Sequence, residues 1–243
     1  MKDFVMTADY HTHTIYSDGH STMEENVKQA VERGLSEIGI TDHGFNHRSG
    51  GIKREQIREM RAEVERLKKL YPQIKIYLGI EANLLNLRGE LDLTEDDIKA
   101  LDYVIFGIHK ATFGKRVKGS LWFNLRNLFP STKKYRQKVT DSYIVAMKKY
   151  PVKIVVHPNY ATKCDTVKLA KACVEFGVLF EFNGKRIDIP AEEVEALKQS
   201  DAKFVLSSDA HKKERVGTCE LQKEFLKKYD FPLEKIVNIK ISE

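Results

Sequence analysis

The sequence has little cysteine and no long apolar run. Its three cysteines, Cys164, Cys173 and Cys219, are scattered and show no CxxC spacing. This excludes a disulfide-stapled secreted domain and a thiolate-based metal or redox motif. No apolar run approaches the roughly 20 residues that a membrane span needs. The charged start "MKDFVMTADYH" has no signal-like apolar segment. We therefore expect a cytoplasmic protein without a membrane partner.

Size and composition suit one α/β domain. The chain has 243 residues, of which 42% are hydrophobic and 31% charged, enough for a sizeable core beneath a polar surface. Single α/β barrels commonly have this length. Because the chain contains no internal repeat, low-complexity tract or linker, we predict a single domain over residues 1–243.

The net charge of +6 is unevenly distributed along the chain. Between Lys110 and Lys149 there are eleven lysines and arginines but one acid, Asp141. Such a run is either a solvated helix face or a positive rim that attracts anions. Both interpretations stay open until a site is located.

Short apolar runs alternate with amphipathic segments. The predicted strands span 4–10, 36–41, 74–80, 102–108, 152–156, 178–182, 203–207 and 235–240. The predicted helices span 22–33, 53–70, 94–100, 131–149, 165–176, 190–199 and 218–229. This alternation indicates right-handed crossovers and a parallel sheet. Seven or eight such units favour a closed or distorted barrel over an open sheet.

Imidazoles and carboxylates recur where the predicted strands end. Six of the eight histidines lie at or just beyond such an end, and in a parallel barrel these ends share one face. A lone histidine or strand-end carboxylate is usually structural, and Asp209 alone could cap a helix. Burying so many titratable groups together is costly unless cations compensate them. The predicted metal ligands are His11, His13, Asp18, His43, Glu81, His109, His157, Asp209 and His211.

The size and chemistry of this set indicate the cofactor. Nine ligands are too many for one ion and suit two or three divalent ions that share a carboxylate. Imidazole and carboxylate without thiolate favour Zn²⁺, Mn²⁺ or Fe over copper(I) or iron–sulfur clusters.

These residues lie in motifs that resemble the PHP (polymerase and histidinol phosphatase) family. The motifs are, in order, "HTHTIYSDG", "ITDHG", "GIEAN", "GIHK", "VVHP", "FEFN" and "SSDAH". The likeness spans nearly the whole chain and is strongest to small stand-alone bacterial PHP phosphatases, especially through "LGIEANLLNLRGELD". It implies an α/β fold, a distorted seven-stranded (β/α)7 TIM-like barrel with a trinuclear centre at the C-terminal strand ends.

The resemblance also implies how the ligands divide among the ions. One ion takes His11, His13, Glu81 and Asp209. A second shares Glu81 and adds His109 and His157. A third takes Asp18, His43 and His211, with His20 as the alternative to Asp18.

The predicted activity is that of a metal-dependent phosphatase acting on a small phosphorylated metabolite. Metal-bound hydroxide would attack phosphorus without a covalent protein intermediate. The predicted catalytic residues are Glu81, Asp209, His211 and Asp42. Asp42, like Asp9, is expected to orient a ligand imidazole. Predicted substrate-binding residues are Arg186, Lys110 and Arg116.

Arg116 belongs to a basic and aromatic segment that begins after His109 and includes Trp122. This segment is either a flap over the metal face or a part of the helical packing. Alternative functions are a phosphodiesterase or 3′→5′ exonuclease acting on nucleotides or nucleic-acid ends, a non-catalytic metal-binding PHP module, and an amidohydrolase-type barrel. The complete ligand set disfavours the last two.

Overall fold

The computed structural model describes residues 2–48, 50–110, 112 and 118–241. The strands are β1 Phe4–Met6, β2 Ala8–Thr12, β3 Glu37–Ile40, β4 Lys75–Asn83, β5 Tyr103–Gly107, β6 Val152–Val155, β7 Leu179–Asn183, β8 Phe204–Ser207 and β9 Ile239–Ile241. The α-helices are α1 Met23–Glu32, α2 Ile57–Leu70, α3 Glu95–Lys99, α4 Ser120–Arg126, α5 Lys133–Lys149, α6 Thr166–Phe176, α7 Ala191–Gln199 and α8 Glu220–Lys228. Short 3₁₀ helices span Arg54–Gln56, Lys213–Arg215 and Leu233–Lys235.

The strands β2 to β8 form one parallel sheet whose spatial order equals their order in the chain. Helices connect each strand to the next. The two edges of the sheet meet at a parallel bridge between Thr12 and Ala210, where the His13 amide donates to the Ala210 carbonyl at 2.8 Å. The predicted distorted (β/α)7 barrel is thereby confirmed. All strand C-termini open on one face, where the motif residues lie.

The seam of the barrel explains one error in the predicted strands. The predicted strand 4–10 is divided at Thr7, since β1 leaves the barrel and pairs antiparallel with β9. Asn238, just before β9, donates to the carbonyls of Ala8 and Leu206, each at 2.7 Å, and accepts from the Leu206 amide at 2.9 Å. One buried amide thus satisfies backbone groups at the seam that lack a ladder partner.

Helix starts follow their local sequence. Helix α1 begins with a capping box: the Thr22 hydroxyl accepts from the Glu25 amide, and the Glu25 carboxylate accepts from the Thr22 amide. Helix α4 lies in the basic segment and was not predicted. Its apolar residues Leu121, Trp122 and Leu125 are exposed, so they do not form the buried apolar stripe by which a helix is predicted from its sequence.

The barrel interior below the metal face is filled by a small apolar cluster. Ile105, Ile154, Val156 and Val205 form this layer, and Tyr103 packs against it. The larger core lies between the sheet and the surrounding helices. Polar chemistry is therefore confined to the upper end of the barrel. No helix among the described residues has the length and apolar character needed to cross a bilayer.

Candidate metal centre

The nine predicted ligands lie at one mouth of the barrel, on or after six different strands. Each side chain comes from the last three residues of its strand or from the loop that follows the strand. Two of these residues have a left-handed backbone, with φ of 30° at His157 and 51° at Asp209. Such angles are unfavourable for residues other than glycine and are concentrated at functional sites. At these two positions the chain turns sharply at the strand end.

Glu81 stands at the centre of the cluster. Its Oε1 lies 2.6 Å from His157 Nε2, 2.9 Å from His109 Nε2 and 3.4 Å from His11 Nε2. Its Oε2 lies 2.6 Å from His43 Nδ1. The side chain is 0% exposed, so four imidazoles from four different strands converge on one buried carboxylate.

Two further carboxylates complete the cluster. Asp209 Oδ1 lies 3.3 Å from His13 Nε2 and 3.4 Å from His211 Nδ1. Asp18 Oδ1 lies 3.2 Å from His211 Nε2 and 3.4 Å from His43 Nε2. His211 therefore stands between the two aspartates. The alternative to Asp18, His20, has an exposed side chain.

The donor atoms fall into four sets whose members lie within 4.8 Å of one another. The sets are His13, Asp18, His43 and His211; His11, His13 and Asp209; His11, Glu81 and His157; and His43, His47 and His109. The first contains the trio expected for a third ion. The last includes His47, which the sequence did not mark. Its ring stacks on that of His43, with centroids 3.8 Å apart and an interplanar angle of 14°.

The electrostatics of the cluster favour bound cations. Burial alone would raise the pKa of Glu81, but the charges of His109, His11 and His43 outweigh it and hold that pKa well below its usual value. Burial is likewise outweighed at Asp209, whose pKa is also lowered. The carboxylates are thus ionised in a buried site.

The hydrogen bonding of the site leads to the same interpretation. Asp18 Oδ1, His43 Nδ1 and Glu81 Oε2 are buried, and their close contacts with one another or with neighbouring imidazoles lack hydrogen-bond geometry within the described part of the chain. Polar atoms left in this way are costly in a folded protein unless another partner, such as a cation, binds them. Imidazole and carboxylate donors gathered in this way fit divalent metal ions.

Two residues that the sequence analysis missed orient the imidazoles. Glu181 Oε1 lies 2.7 Å from His11 Nδ1, while its Oε2 accepts from the His157 amide at 2.8 Å. Asn83 Oδ1 lies 2.7 Å from His109 Nδ1. Contacts of this kind fix the tautomer and direction of a ligating imidazole. The available signal was a polar side chain inside an apolar strand, as in "FEFN" and "GIEAN".

The predicted contacts of Asp42 and Asp9 with imidazoles are wrong. Asp42 accepts from the amide and hydroxyl of Thr14, both at 2.7 Å, and from the Ser17 hydroxyl at 2.5 Å. Asp9 accepts from the Ser208 amide at 3.1 Å and the Gly217 amide at 2.8 Å. Both carboxylates instead accept from backbone amides or hydroxyls of nearby loops, which have no partner in the sheet. Asp42 consequently holds the loop that leads to Asp18.

A cavity of about 480 Å³ opens above the cluster. Predicted substrate-binding residues Lys110 and Arg186 line it, together with Lys185 and Tyr160. Lys185 was not predicted, yet its ammonium lies 3.1 Å from Asp209 Oδ1. The other residues that line the cavity are Asp18, His43, His47, His109, His157, Asp209 and His211. The predicted Arg116 lies outside the described residues.

The structure gives a test of the orienting role of Glu181. We expect Glu181→Ala to weaken metal binding about 10- to 100-fold, because His11 and the His157 amide lose their shared carboxylate. Chelator competition, monitored by metal release, measures this. Glu175→Ala removes an exposed carboxylate beyond the site and is the control. Equal metal affinity in the two variants would contradict the role.

Comparisons with known proteins agree with this geometry. The model of the PHP domain family matches residues 9–191. A protein of Photobacterium profundum named as a probable phosphatase is 30% identical over 240 residues, covering 94% of this chain and 88% of the relative. A protein of Shewanella halifaxensis with the same name is 28% identical over 240 residues, covering 95% of this chain and 87% of the relative.

A solved structure shares the fold. The histidinol phosphate phosphatase of Lactococcus lactis, crystallised with zinc, L-histidinol and phosphate, aligns with a TM-score of 0.58 and 17% identity. The alignment covers 98% of this chain and 99% of that chain. At this identity the likeness concerns the fold alone. Together with the match over residues 9–191, the motif order and the barrel place the chain in the PHP domain family.

Proposed function

We propose that this protein is a metal-dependent phosphomonoesterase that hydrolyses a small phosphorylated metabolite at a trinuclear centre. The observation that carries the proposal is the convergence of four imidazoles on the buried Glu81 carboxylate, at the floor of an open cavity. The name of the relatives, probable phosphatase, supports the same class of reaction.

The proposed ligand sets follow the motifs. One ion would be held by His11, His13, Glu81 and Asp209, a second by Glu81, His109 and His157, and a third by Asp18, His43 and His211. When bound, Zn²⁺, Mn²⁺ or Fe ions would lower the pKa of a water for attack on phosphorus and neutralise charge on the phosphoryl oxygens.

The protein's own residues would position the ester. Glu81 fixes the spacing of the histidines, and Glu181 and Asn83 fix the rotation of two of them. Lys185 lies beside Asp209 at the cavity wall, where an ammonium can bind a phosphoryl oxygen. In the proposed reaction Asp209 and His211 act as ligands that face the phosphate. Asp42 acts only by holding the loop before Asp18.

A second candidate is a phosphodiesterase or exonuclease. The feature that favours it is the surface around α4, where Trp122 is 54% and Phe129 64% exposed. Arg126, Lys133 and Lys134 lie in the same stretch of sequence. Aromatic rings among cations can stack on single-stranded bases. Three of the five exposed apolar side chains there are leucines, Leu121, Leu125 and Leu128, which stack poorly, so we rank this function second.

The two candidates differ in the ester that they cleave. We expect p-nitrophenyl phosphate to be hydrolysed at least about tenfold faster, in kcat/KM, than bis(p-nitrophenyl) phosphate, a difference of roughly 1.4 kcal/mol in barrier. A diester has a single negative charge and a second bulky group to place beside the cluster. Steady-state release of p-nitrophenol, with Mn²⁺ or Zn²⁺ present, measures both rates. Equal or reversed rates would favour the diesterase.

The proposed setting is the cytoplasm. Cys164, Cys173 and Cys219 are all free and buried. Burial raises the pKa of the Cys164 thiol to about 12, so this thiol stays protonated and inert. Unpaired buried thiols are usual in reducing compartments.

A further inference from the structure

The cavity above the metal cluster has more positive side chains than one phosphate requires. Lys110, Lys185 and Arg186 line it, whereas its acidic lining residues are Asp18 and Asp209. Both aspartates lie within the histidine cluster, where bound ions would neutralise them. The remaining wall of the cavity is therefore cationic in its described part.

Two of the three cations are grouped around one aromatic ring. Arg186 Cζ lies 4.5 Å and Lys110 Nζ 5.4 Å from the centroid of the Tyr160 ring. That ring lies edge-on to the predicted ligand His157, with centroids 5.4 Å apart. The cation pair is thus separated from the metal cluster by a single aromatic side chain. This spacing is short enough for one small molecule to contact the cation pair and the metal cluster at the same time.

Neither cation of this pair is strongly neutralised by the protein. Arg186 has a long contact of 3.7 Å with Asp188, and both side chains are partly exposed, with relative areas of 46% and 34%. Such pairs contribute little in water. Lys110 has no ion pair with any described carboxylate. Lys185 differs, because its ammonium lies 3.1 Å from Asp209 Oδ1 and 2.8 Å from His211 Nδ1.

We infer that the substrate has a second anionic group, a carboxylate or a phosphate, on the leaving-group side of its ester, and that Lys110 and Arg186 bind this group beside Tyr160. The inference rests on the proposed function, since it assigns the second half of the same cavity. An ester whose leaving group has an ammonium would be repelled by the same pair.

Binding of two non-hydrolysable ligands tests the inference apart from catalysis. Phosphonoacetate has a carboxylate two bonds from its phosphorus, and 2-aminoethylphosphonate has an ammonium in nearly the same place. We expect the metal-loaded protein to bind phosphonoacetate at least about tenfold more tightly, as measured by isothermal titration calorimetry. The double variant Lys110→Gln, Arg186→Gln should bring the ratio of the two affinities close to one.

Because phosphonoacetate can also chelate the ions, the double variant decides the origin of the preference. If the double variant still binds phosphonoacetate more tightly, the preference arises at the metal centre and the inference is overturned. Equal affinities for the two ligands in the unaltered protein would also overturn it. Lys171→Gln, which removes an exposed charge on α6, should leave the ratio unchanged. Turnover of p-nitrophenyl phosphate is measured in parallel. Its absence would contradict the proposed function, while the affinity ratio still tests the anion site.

Discussion

Replacing Glu81 by glutamine is expected to lower kcat/KM by about 1000-fold, roughly 4 kcal/mol of barrier. The carboxylate lies within 3.4 Å of nitrogens of four histidines, so no other side chain can take over its position. Glutamine has nearly the same volume but no negative charge, and its amide nitrogen cannot ligate a cation. Two of the proposed ions would lose their shared ligand. Activity and metal content should therefore fall together.

Glu37→Gln is the matched control for this variant. Glu37 begins the neighbouring strand β3, at the opposite end of the barrel, where it bonds to the Tyr10 hydroxyl and to Lys75. We expect this variant to keep its metal and its activity. If Glu81→Gln retains activity within about tenfold of the unaltered protein, a loss under roughly 1.4 kcal/mol, the bridging role is wrong.

Removal of the ions is expected to abolish phosphatase activity and to lower thermal stability. A ligand present at 100 times its dissociation constant stabilises the folded state by about 2.7 kcal/mol. In a chain of this size that corresponds to a shift in Tm of about 5–10 °C. Differential scanning calorimetry after dialysis against a chelator, and again after adding back Mn²⁺ or Zn²⁺, measures this shift. Activity should return with the higher Tm.

Element analysis gives the number of ions directly. We expect two to three per chain, and one fewer in His211→Ala, since His211 lies within 3.4 Å of both Asp18 and Asp209. Fewer than two ions per chain in the unaltered, fully loaded protein would contradict the multinuclear centre. Full activity after exhaustive chelation would contradict any metal-dependent mechanism.

The sequence predicted the barrel and the location of the site because both depend on local patterns. Alternation of apolar runs with amphipathic segments determines a parallel sheet, and parallel strands end on a common face. Histidines and carboxylates at those ends had to be close in space once the barrel formed. The meeting of these side chains on one face thus follows from topology and residue position. The central place of Glu81 was implied by the family resemblance, and the division of the nine ligands among individual ions stays a proposal.

Other features depend on contacts between distant segments and were not predictable in this way. The separation of β1 from β2 follows from Asn238, which is more than 200 residues away in the chain. Asp42 precedes a ligand in its motif, but its bonds depend on how the loop containing Thr14 and Ser17 folds back. Lys185 could be assigned to the site only from the distance between its ammonium and Asp209 in the folded structure.

The bridge between Thr12 and Ala210 has a consequence for biosynthesis. It closes the ring by joining two segments that lie about 200 residues apart in the chain, so the first is synthesised well before the second. While the ribosome is still elongating toward Asp209, the nascent polypeptide displays His11 and His13 without the aspartate that they approach in the finished fold. In the proposed ligand set, complete metallation therefore has to wait until Asp209 has left the exit tunnel.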